Sequence, residues 1–163
     1  MLDYLGIIDA FDKAEIKYII VGGMAVNLHG IPRMTYDLDL LLDLEDENLS
    51  KFLNLLKEWG YKPKVPVDIM DFANQEKRND WIKNKNMKAF NLVNEESIVR
   101  EIDVIIDSPV SYIQAKNNIK YVKLYHNLVP VIGLNDLIMM KKNTGRKQDE
   151  ADIRYLEVKL GKE

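Results

Sequence analysis

Three acidic residues lie in apolar surroundings where a solvated surface acid is not expected. Asp37 and Asp39 stand one residue apart in TYDLDLLLD, and Asp103 is flanked by apolar residues in REIDVIID. Successive side chains of a strand point to opposite faces, so Asp37 and Asp39 should project together while Leu38 enters the core. Two neighbouring carboxylates repel each other, which predicts a cation between them unless water solvates both.

The three acids suit a hard divalent cation. Mg²⁺ typically binds one or two protein carboxylates together with a substrate phosphate. If an adjacent strand brings Asp103 beside the pair, the set could hold two ions for phosphoryl transfer. We therefore predict a site for two Mg²⁺ ions, with Mn²⁺ as a substitute, formed by Asp37, Asp39 and Asp103. Glu101 shares the predicted strand face of Asp103 and is the competing ligand.

A glycine pair precedes the first two acids. Gly22 and Gly23 end the β-rich run YIIV and open a short helical segment. Glycine lets the backbone approach a phosphate closely, and a helix start offers free N–H donors. Thirteen residues separate Gly23 from Asp37, which is room for one short helix and a return strand. A phosphate cradle beside the acids is the functional interpretation, and a plain turn is the alternative.

Two further residues lie between the glycines and the acids. Arg33 could form an ion pair with Asp37 or Asp39, or its planar fork could neutralise a triphosphate. Thr35 is predicted to be a strand hydroxyl rather than a ligand.

The C-terminal segment carries a regular pattern of charges. Asp149 and Asp152 recur at helical spacing, and Arg146 lies three residues before Asp149. Side chains at this spacing face one another on a helix, which predicts a polar network. Lys141 and Lys147 belong either to that network or to a solvated helix end, where bases are favoured.

The order of the elements predicts a mixed α/β fold of the α+β class. Helical periodicity alternates irregularly with β-rich runs, and MKAFNLVN and VREIDVIID are close enough to form a hairpin. Irregular alternation favours a mixed sheet with helices packed on it and a helical C-terminus. We predict a single domain over residues 1–163, with a core at about 15–132 and a helical part at about 133–163.

Composition excludes several classes of protein. The formal net charge of -3 argues against a non-specific nucleic-acid coat, which needs a basic surface. The chain has no cysteine, so disulfides and thiolate chemistry are ruled out and a reducing compartment fits. The N-terminus lacks the pattern of a signal peptide, and no apolar run reaches membrane-spanning length. We expect a cytoplasmic protein without a membrane partner.

The order of the motifs resembles the DNA polymerase β-like nucleotidyltransferase superfamily. Val21-Gly22-Gly23, Asp37-Leu38-Asp39-Leu40 and Ile102-Asp103-Val104 match its glycine pair, its acid–apolar–acid unit and its later lone acid. The resemblance implies a nucleotidyltransferase-like mixed sheet, magnesium, and transfer of a nucleoside monophosphate from a nucleoside triphosphate. It also implies that both glycines bind triphosphate and that the three acids bind metal. Many active members carry serine where this chain has Gly23.

A narrower likeness concerns two segments. PRMTYDLDLLLD is similar to a stretch of the AbiEii/AbiGii toxin-like nucleotidyltransferases, and LIMMKKNTGRKQDEADIRYL is similar to their C-terminal segment. By that likeness Lys141 and either Arg146 or Lys147 would contact phosphates, while Asp149 and Asp152 complete the network. The acceptor would be tRNA or a protein, and an antitoxin would be the partner.

Three functional hypotheses follow from the sequence. The first is a metal-dependent nucleotidyltransferase that modifies an acceptor hydroxyl. The second is a nucleotide-binding or regulatory partner with weak or no turnover. The third is an interaction module of a toxin–antitoxin pair.

Overall fold

A seven-stranded mixed sheet forms the framework of the computed structural model, which describes residues 2–163. Its strands lie side by side in the order β3-β4-β5-β2-β1-β7-β6. They are β1 (Tyr18–Val21), β2 (Leu38–Leu42), β3 (Lys62–Pro63), β4 (Ala89–Val93), β5 (Glu101–Ile105), β6 (Lys120–Leu124) and β7 (Asn127–Val131).

Helices cover the sheet and close the chain. They are α1 (Tyr4–Lys13), α2 (Gly22–Leu28), α3 (Asp46–Glu58), α4 (Gln75–Lys85), α5 (Tyr112–Ala115), α6 (Leu134–Lys141) and α7 (Lys147–Leu160), with 3₁₀ turns at Ile69–Ala73 and Lys116–Asn118. The predicted α+β class and helical C-terminus are confirmed. Within residues 2–163 no helix has both the length and the apolar character needed to span a bilayer.

The central strands are held by burial on both faces. All four residues of β1 are buried, as are Leu38 and Leu40 of β2. Helices α1 and α3 contribute aromatic side chains to this core, and the ring centroids of Phe11 and Phe52 lie 5.7 Å apart. Burying one such side chain stabilises the fold by roughly 1.5–3 kcal/mol. The apolar helix faces predicted from the sequence therefore pack against the sheet and stabilise its central strands.

The register of the strand pairs decides which polar residues become neighbours. β2 runs antiparallel to β1, with Val21 opposite Asp39, and parallel to β5, with Asp39 opposite Asp103. β4 runs antiparallel to β5, as the predicted hairpin requires, and it sets Asn91 opposite Asp103. Four neighbouring strands thus place one row of residues across the sheet.

The second strand is shorter than the sequence predicts. It begins at Leu38 rather than at Thr35, so Asp37 ends the preceding loop. The reason lies in the neighbouring strand, because β1 stops at Val21 and α2 starts at the next residue. The carbonyl of Tyr36 instead accepts a hydrogen bond from the hydroxyl of Tyr4. Asp37 is therefore positioned by a loop, whereas Asp39 is positioned by the sheet.

Candidate active site

Two carboxylates and an amide form the floor of the site. Asp39 and Asp103 are cross-strand neighbours, and Asn91 donates a hydrogen bond from Nδ2 to Oδ1 of Asp103 over 2.7 Å. Asp103 is only 9% exposed. A buried carboxylate with one amide donor has remaining lone pairs that need a cation or further donors. The row is therefore a site at which positive charge would be stabilised.

A fourth acid joins the predicted set. Carboxylate oxygens of Asp37, Glu101 and Asp103 all lie within 4.8 Å of one another. Glu101 also accepts a hydrogen bond from Nζ of Lys64 over 2.7 Å. Asp103 thus lies between Asp39 on the sheet and the outer pair of Asp37 and Glu101. The structure brings the three predicted acids to one end of β2 and β5 and adds Glu101, which the sequence left as a competitor.

The pKa values of the acids are raised, which indicates that too little positive charge lies near them. Burial, assisted by the charge of Asp37, raises the pKa of Asp39 to about 6. Burial also raises the pKa of Asp103 to about 7; the hydrogen bond from Asn91 opposes this rise, and the charges of Asp39 and Glu101 add to it. The pKa of Asp37 is raised, first by burial and then by Glu101. The raised pKa values show that the nearby positive charge is too small to stabilise the ionised carboxylates. Oxygen ligands in such surroundings suit a hard divalent cation.

Gly22 lies directly against the acids. Its φ is +65°, a left-handed conformation that favours glycine, and a Cβ there would lie 2.0 Å from Oδ2 of Asp39. The backbone of Gly22 and the carboxylate of Asp39 are therefore in direct contact. Any larger residue at position 22 would displace the carboxylate or the chain.

Gly23 is required by space rather than by backbone conformation. A Cβ at this position would lie 1.8 Å from Nη1 of Arg33 and 2.8 Å from Oγ1 of Thr35. The guanidinium thus fills the volume that a side chain at position 23 would take. Of the two alternatives for Arg33, the ion pair with Asp37 or Asp39 is not formed, because the acid that Arg33 pairs with is Asp152, whose Oδ2 lies 3.3 Å from its Nε.

The predicted C-terminal network is present as a buried cluster. Nζ of Lys141 donates to Oδ1 of Asp149 over 3.2 Å and to Oδ2 of Asp152 over 3.0 Å. Nε of Arg146 and the hydroxyl of Thr144 each donate to Oδ2 of Asp149 over 2.7 Å. Burial alone would raise the pKa of Asp149, but its hydrogen bonds and the nearby cations outweigh burial and lower it. Asp149 is therefore held as an anion, and it anchors the two cations beside it.

A cleft of about 710 Å³ joins the acids to this cluster. Its lining includes the acids Asp39 and Asp103, several apolar side chains, and the basic side chains of Lys141, Lys142 and Arg146, which we call the cationic rim. Arg146 belongs to the rim, whereas Lys147 is exposed at the start of α7 and is not among the lining residues. The lining comprises Val21, Gly22, Asp39, Lys88, Ala89, Asn91, Asp103, Ile105, Asp107, Pro109, Leu137, Met140, Lys141, Lys142, Asn143, Thr144 and Arg146.

Asn91, Lys88 and Asp107 line the cleft, although the sequence did not assign them to the site. Asn91 is polar in the middle of the strand AFNLV, a signal that the sequence carried but that gained meaning only through its register with Asp103. Lys88 and Asp107 form an ion pair at the far end of the cleft. They join because β4 and β5 are a hairpin, and charged residues at strand ends carry no signal of their own.

Comparison with known proteins identifies relatives of this architecture. The model of the aminoglycoside-2''-adenylyltransferase family matches residues 3–156, which is most of the chain. A comparison with curated protein sequences gave no significant match.

Several solved structures share the fold, including the following two. The crystal structure of the lincosamide antibiotic adenylyltransferase LnuA with lincomycin has a TM-score of 0.62 and 18% identity, and the match covers 94% of this chain and 93% of that one. The crystal structure of ANT(2")-Ia in complex with adenylyl-2"-tobramycin has a TM-score of 0.60 and 14% identity, with 96% and 86% covered. The predicted membership of the nucleotidyltransferase superfamily is confirmed.

Proposed function

The chain belongs to the aminoglycoside-2''-adenylyltransferase family, and on that premise we propose that it transfers a nucleoside monophosphate from a nucleoside triphosphate to a hydroxyl of a small, cationic acceptor. It is a nucleotidyltransferase by family and by fold. One observation carries the proposal for the reacting centre. Asp39 and Asp103 stand in register beside Gly22, and Lys141 and Arg146 line the same cleft.

The reaction forms one bond and breaks one bond. The acceptor oxygen attacks the α-phosphorus, the bond to the bridging oxygen of the β-phosphate breaks, and pyrophosphate leaves. We assign the hydroxyl proton to Asp103, which lies beside Asp39 at the reacting centre and lines the cleft. Mg²⁺ or Mn²⁺ held by Asp37, Asp39, Asp103 and Glu101 would neutralise the phosphates and lower the pKa of the hydroxyl. The number of ions is expected to be two.

The cationic rim is proposed to bind the triphosphate. Lys141 and Arg146 supply positive charge opposite the acids, and the backbone at Gly22 and Gly23 leaves room for phosphate oxygens. Lys147 lies further out and would act only on a longer ligand. Positive groups placed where charge builds up on the leaving group stabilise the transition state.

The apolar part of the cleft lining is proposed to hold the nucleoside. Ala89, Ile105 and Met140 contribute apolar surface there. Asp107 lies two residues beyond the end of β5 and lines the same cleft as Asp103. The Lys88–Asp107 pair could offer the base one donor and one acceptor.

The description of the family favours a polyhydroxylated, cationic acceptor. Aminoglycosides, after which the family is described, are polyhydroxylated and cationic, so they are the first acceptors to test.

The second candidate keeps the toxin-like interpretation. PRMTYDLDLLLD and the cluster of Lys141, Asp149 and Asp152 support the likeness to the AbiEii/AbiGii group. On this hypothesis the acceptor is tRNA or a protein, and an antitoxin binds the enzyme. Under either candidate the triphosphate substrate suggests a cytoplasmic location.

A transfer assay distinguishes the candidates. The protein is incubated with each α-labelled nucleoside triphosphate, Mg²⁺ or Mn²⁺, and in turn tobramycin, lincomycin, bulk tRNA or lysate protein. Label on tobramycin supports the first candidate, and label on tRNA or protein supports the second. Metal-dependent triphosphate binding in calorimetry without any product would indicate the regulatory alternative. No binding of either metal or triphosphate would leave only the interaction module.

Metal binding is expected to strengthen with pH. Asp39 and Asp103 carry raised pKa values of about 6 and about 7, so each holds a proton under acid conditions that a metal must displace. Affinity should rise by up to about tenfold per pH unit for each proton displaced. The measurement is Mn²⁺ affinity by calorimetry across pH 5 to 8.

The metal-free protein should show the opposite trend in stability. The folded pKa values lie above those of the unfolded chain, so the native state holds more protons and stability falls as pH rises between about 4 and 7. Thermal unfolding with and without Mn²⁺ separates the two trends. A Mn²⁺ affinity that does not change with pH would contradict this account of the acids.

A further inference from the structure

We propose that Arg33 is a positioning residue that holds Lys141 available for the triphosphate by acting through Asp152, and that Gly23 is small so that Arg33 can do so. This inference rests on the proposed function, because it assigns a role to Lys141 in that reaction. It replaces both interpretations that the sequence offered for Arg33, the counter-ion of the paired acids and the direct phosphate clamp.

The position of the guanidinium is the first argument. Nη1 of Arg33 occupies the place where a Cβ of residue 23 would lie, and Thr35 packs on the same spot. The Arg33 side chain is only 21% exposed, and it is not among the residues that line the cleft. Arg33 therefore acts from behind the site and not by contact with a ligand in the cleft.

The sharing of one carboxylate oxygen is the second argument. Oδ2 of Asp152 lies 3.0 Å from Nζ of Lys141 and 3.3 Å from Nε of Arg33. Asp152 is 2% exposed, and a carboxylate at that depth needs a partner. With Arg33 in place, Asp152 has a second cation beside Lys141. Without Arg33, Lys141 becomes the only cation on this oxygen and is held more tightly by Asp152.

The balance of charge points the same way. Three cations, Arg33, Lys141 and Arg146, are paired with two carboxylates, Asp149 and Asp152. The cluster therefore carries a net charge of about +1 toward an anionic ligand, and removal of Arg33 reduces it to about zero. The Nε of Arg33 makes no hydrogen bond despite its short distance to Asp152, so the contact is an ion pair.

Arg33 also joins three parts of the site. It belongs to the loop that leads to Asp37, it packs against the start of α2, and it contacts α7 through Asp152. One side chain thus links the loop that carries an acidic residue with the helices that carry the cationic rim. A substitution at position 23 should disturb this link as effectively as removal of Arg33 itself.

The test is a double-mutant cycle between positions 23 and 33. Arg33→Ala should raise KM for the triphosphate by about tenfold and change kcat by less than about threefold. Gly23→Ala should give the same change in KM with little loss of thermal stability, because its methyl group displaces the tip of Arg33 and the hydroxyl of Thr35 and no backbone atom. The double variant should be no worse than either single one, and Arg33→Lys should recover part of the loss. Arg154→Ala, which removes an exposed arginine of α7, is the matched control.

A second measurement needs no substrate. The side-chain ammonium signal of Lys141 in NMR should shift in Arg33→Ala and in Gly23→Ala, and should stay unchanged in Arg154→Ala. A Lys141 signal that does not shift would overturn the inference. So would a rise in KM in the double variant that equals the product of the rises in the two single variants. A wild-type protein that transfers no nucleotide would refute the proposed function and leave the NMR test to decide the role of Arg33.

Discussion

Asp103→Asn should abolish nucleotidyl transfer while leaving the folded protein as stable as the wild type or more stable. The substitution keeps the shape of the side chain and an oxygen that can accept the hydrogen bond from Asn91. It removes a charge from a position where burial and the neighbouring carboxylates disfavour one. We expect activity to fall by at least about a thousandfold, because a metal ligand and the proposed base are lost together.

The gain in stability should depend on pH. Above about pH 7 the wild-type Asp103 is ionised and faces Asp39 and Glu101, so Asp103→Asn should raise Tm there and have little effect near pH 5. Thermal unfolding without metal, measured beside the transfer assay, checks both halves. Asp80→Asn, which neutralises an exposed acid on α4, is the control. Retained activity, or a marked loss of stability at pH 8, would show that Asp103 is a structural acid.

Gly22→Ala is expected to reduce both activity and stability. A left-handed conformation costs an L-residue about 1–2 kcal/mol. The added methyl group would also lie 2.0 Å from Oδ2 and 2.9 Å from Cβ of Asp39, so the strand residue itself must move. A displacement of about 1 Å at a reacting centre can cost about a hundredfold in rate, so we expect at least that loss. Denaturant unfolding and transfer kinetics measure the two effects.

Gly30→Ala separates strain from displacement. Gly30 has a φ of +90°, but the atom nearest to a Cβ added there is Nζ of Lys159, at 3.8 Å. In this control the free energy of unfolding should fall by a similar amount, through backbone strain alone, and full activity should remain. If Gly22→Ala were as active as Gly30→Ala, contact between Gly22 and Asp39 would have no role in the reaction.

Much of the fold could be predicted from the sequence because its local patterns agree with the final structure. The hairpin of β4 and β5 and the helices at both ends of the chain follow from periodicity and turns. The start of β2 was misjudged, because strand pairing and not residue preference decides where a strand begins. β1 ends before it can pair with Asp37, and no property of TYDLDLLLD contains that fact.

Residue types and spacing alone marked out a compact set of candidate acids, a glycine pair and a C-terminal charge network. These signals are local, because an acid within an apolar strand or a charge at helical spacing is unusual wherever the chain folds. The tertiary structure decided which groups meet. A parallel pairing, which requires a long crossover, set Asp39 beside Asp103, and Glu101 joined Asp37 only through that register.

Arg33 shows the difference most clearly. The sequence placed it four residues from Asp37 and suggested that acid as its partner, because opposite charges close in sequence can pair. In the folded protein its long side chain reaches past Gly23 to Asp152, which is over a hundred residues away in the chain. Nothing local could predict this contact, because it depends on where the fold places α7 relative to the loop that carries Arg33. The chemistry available to the protein was set by the sequence, and the pairing of its charges was set by packing.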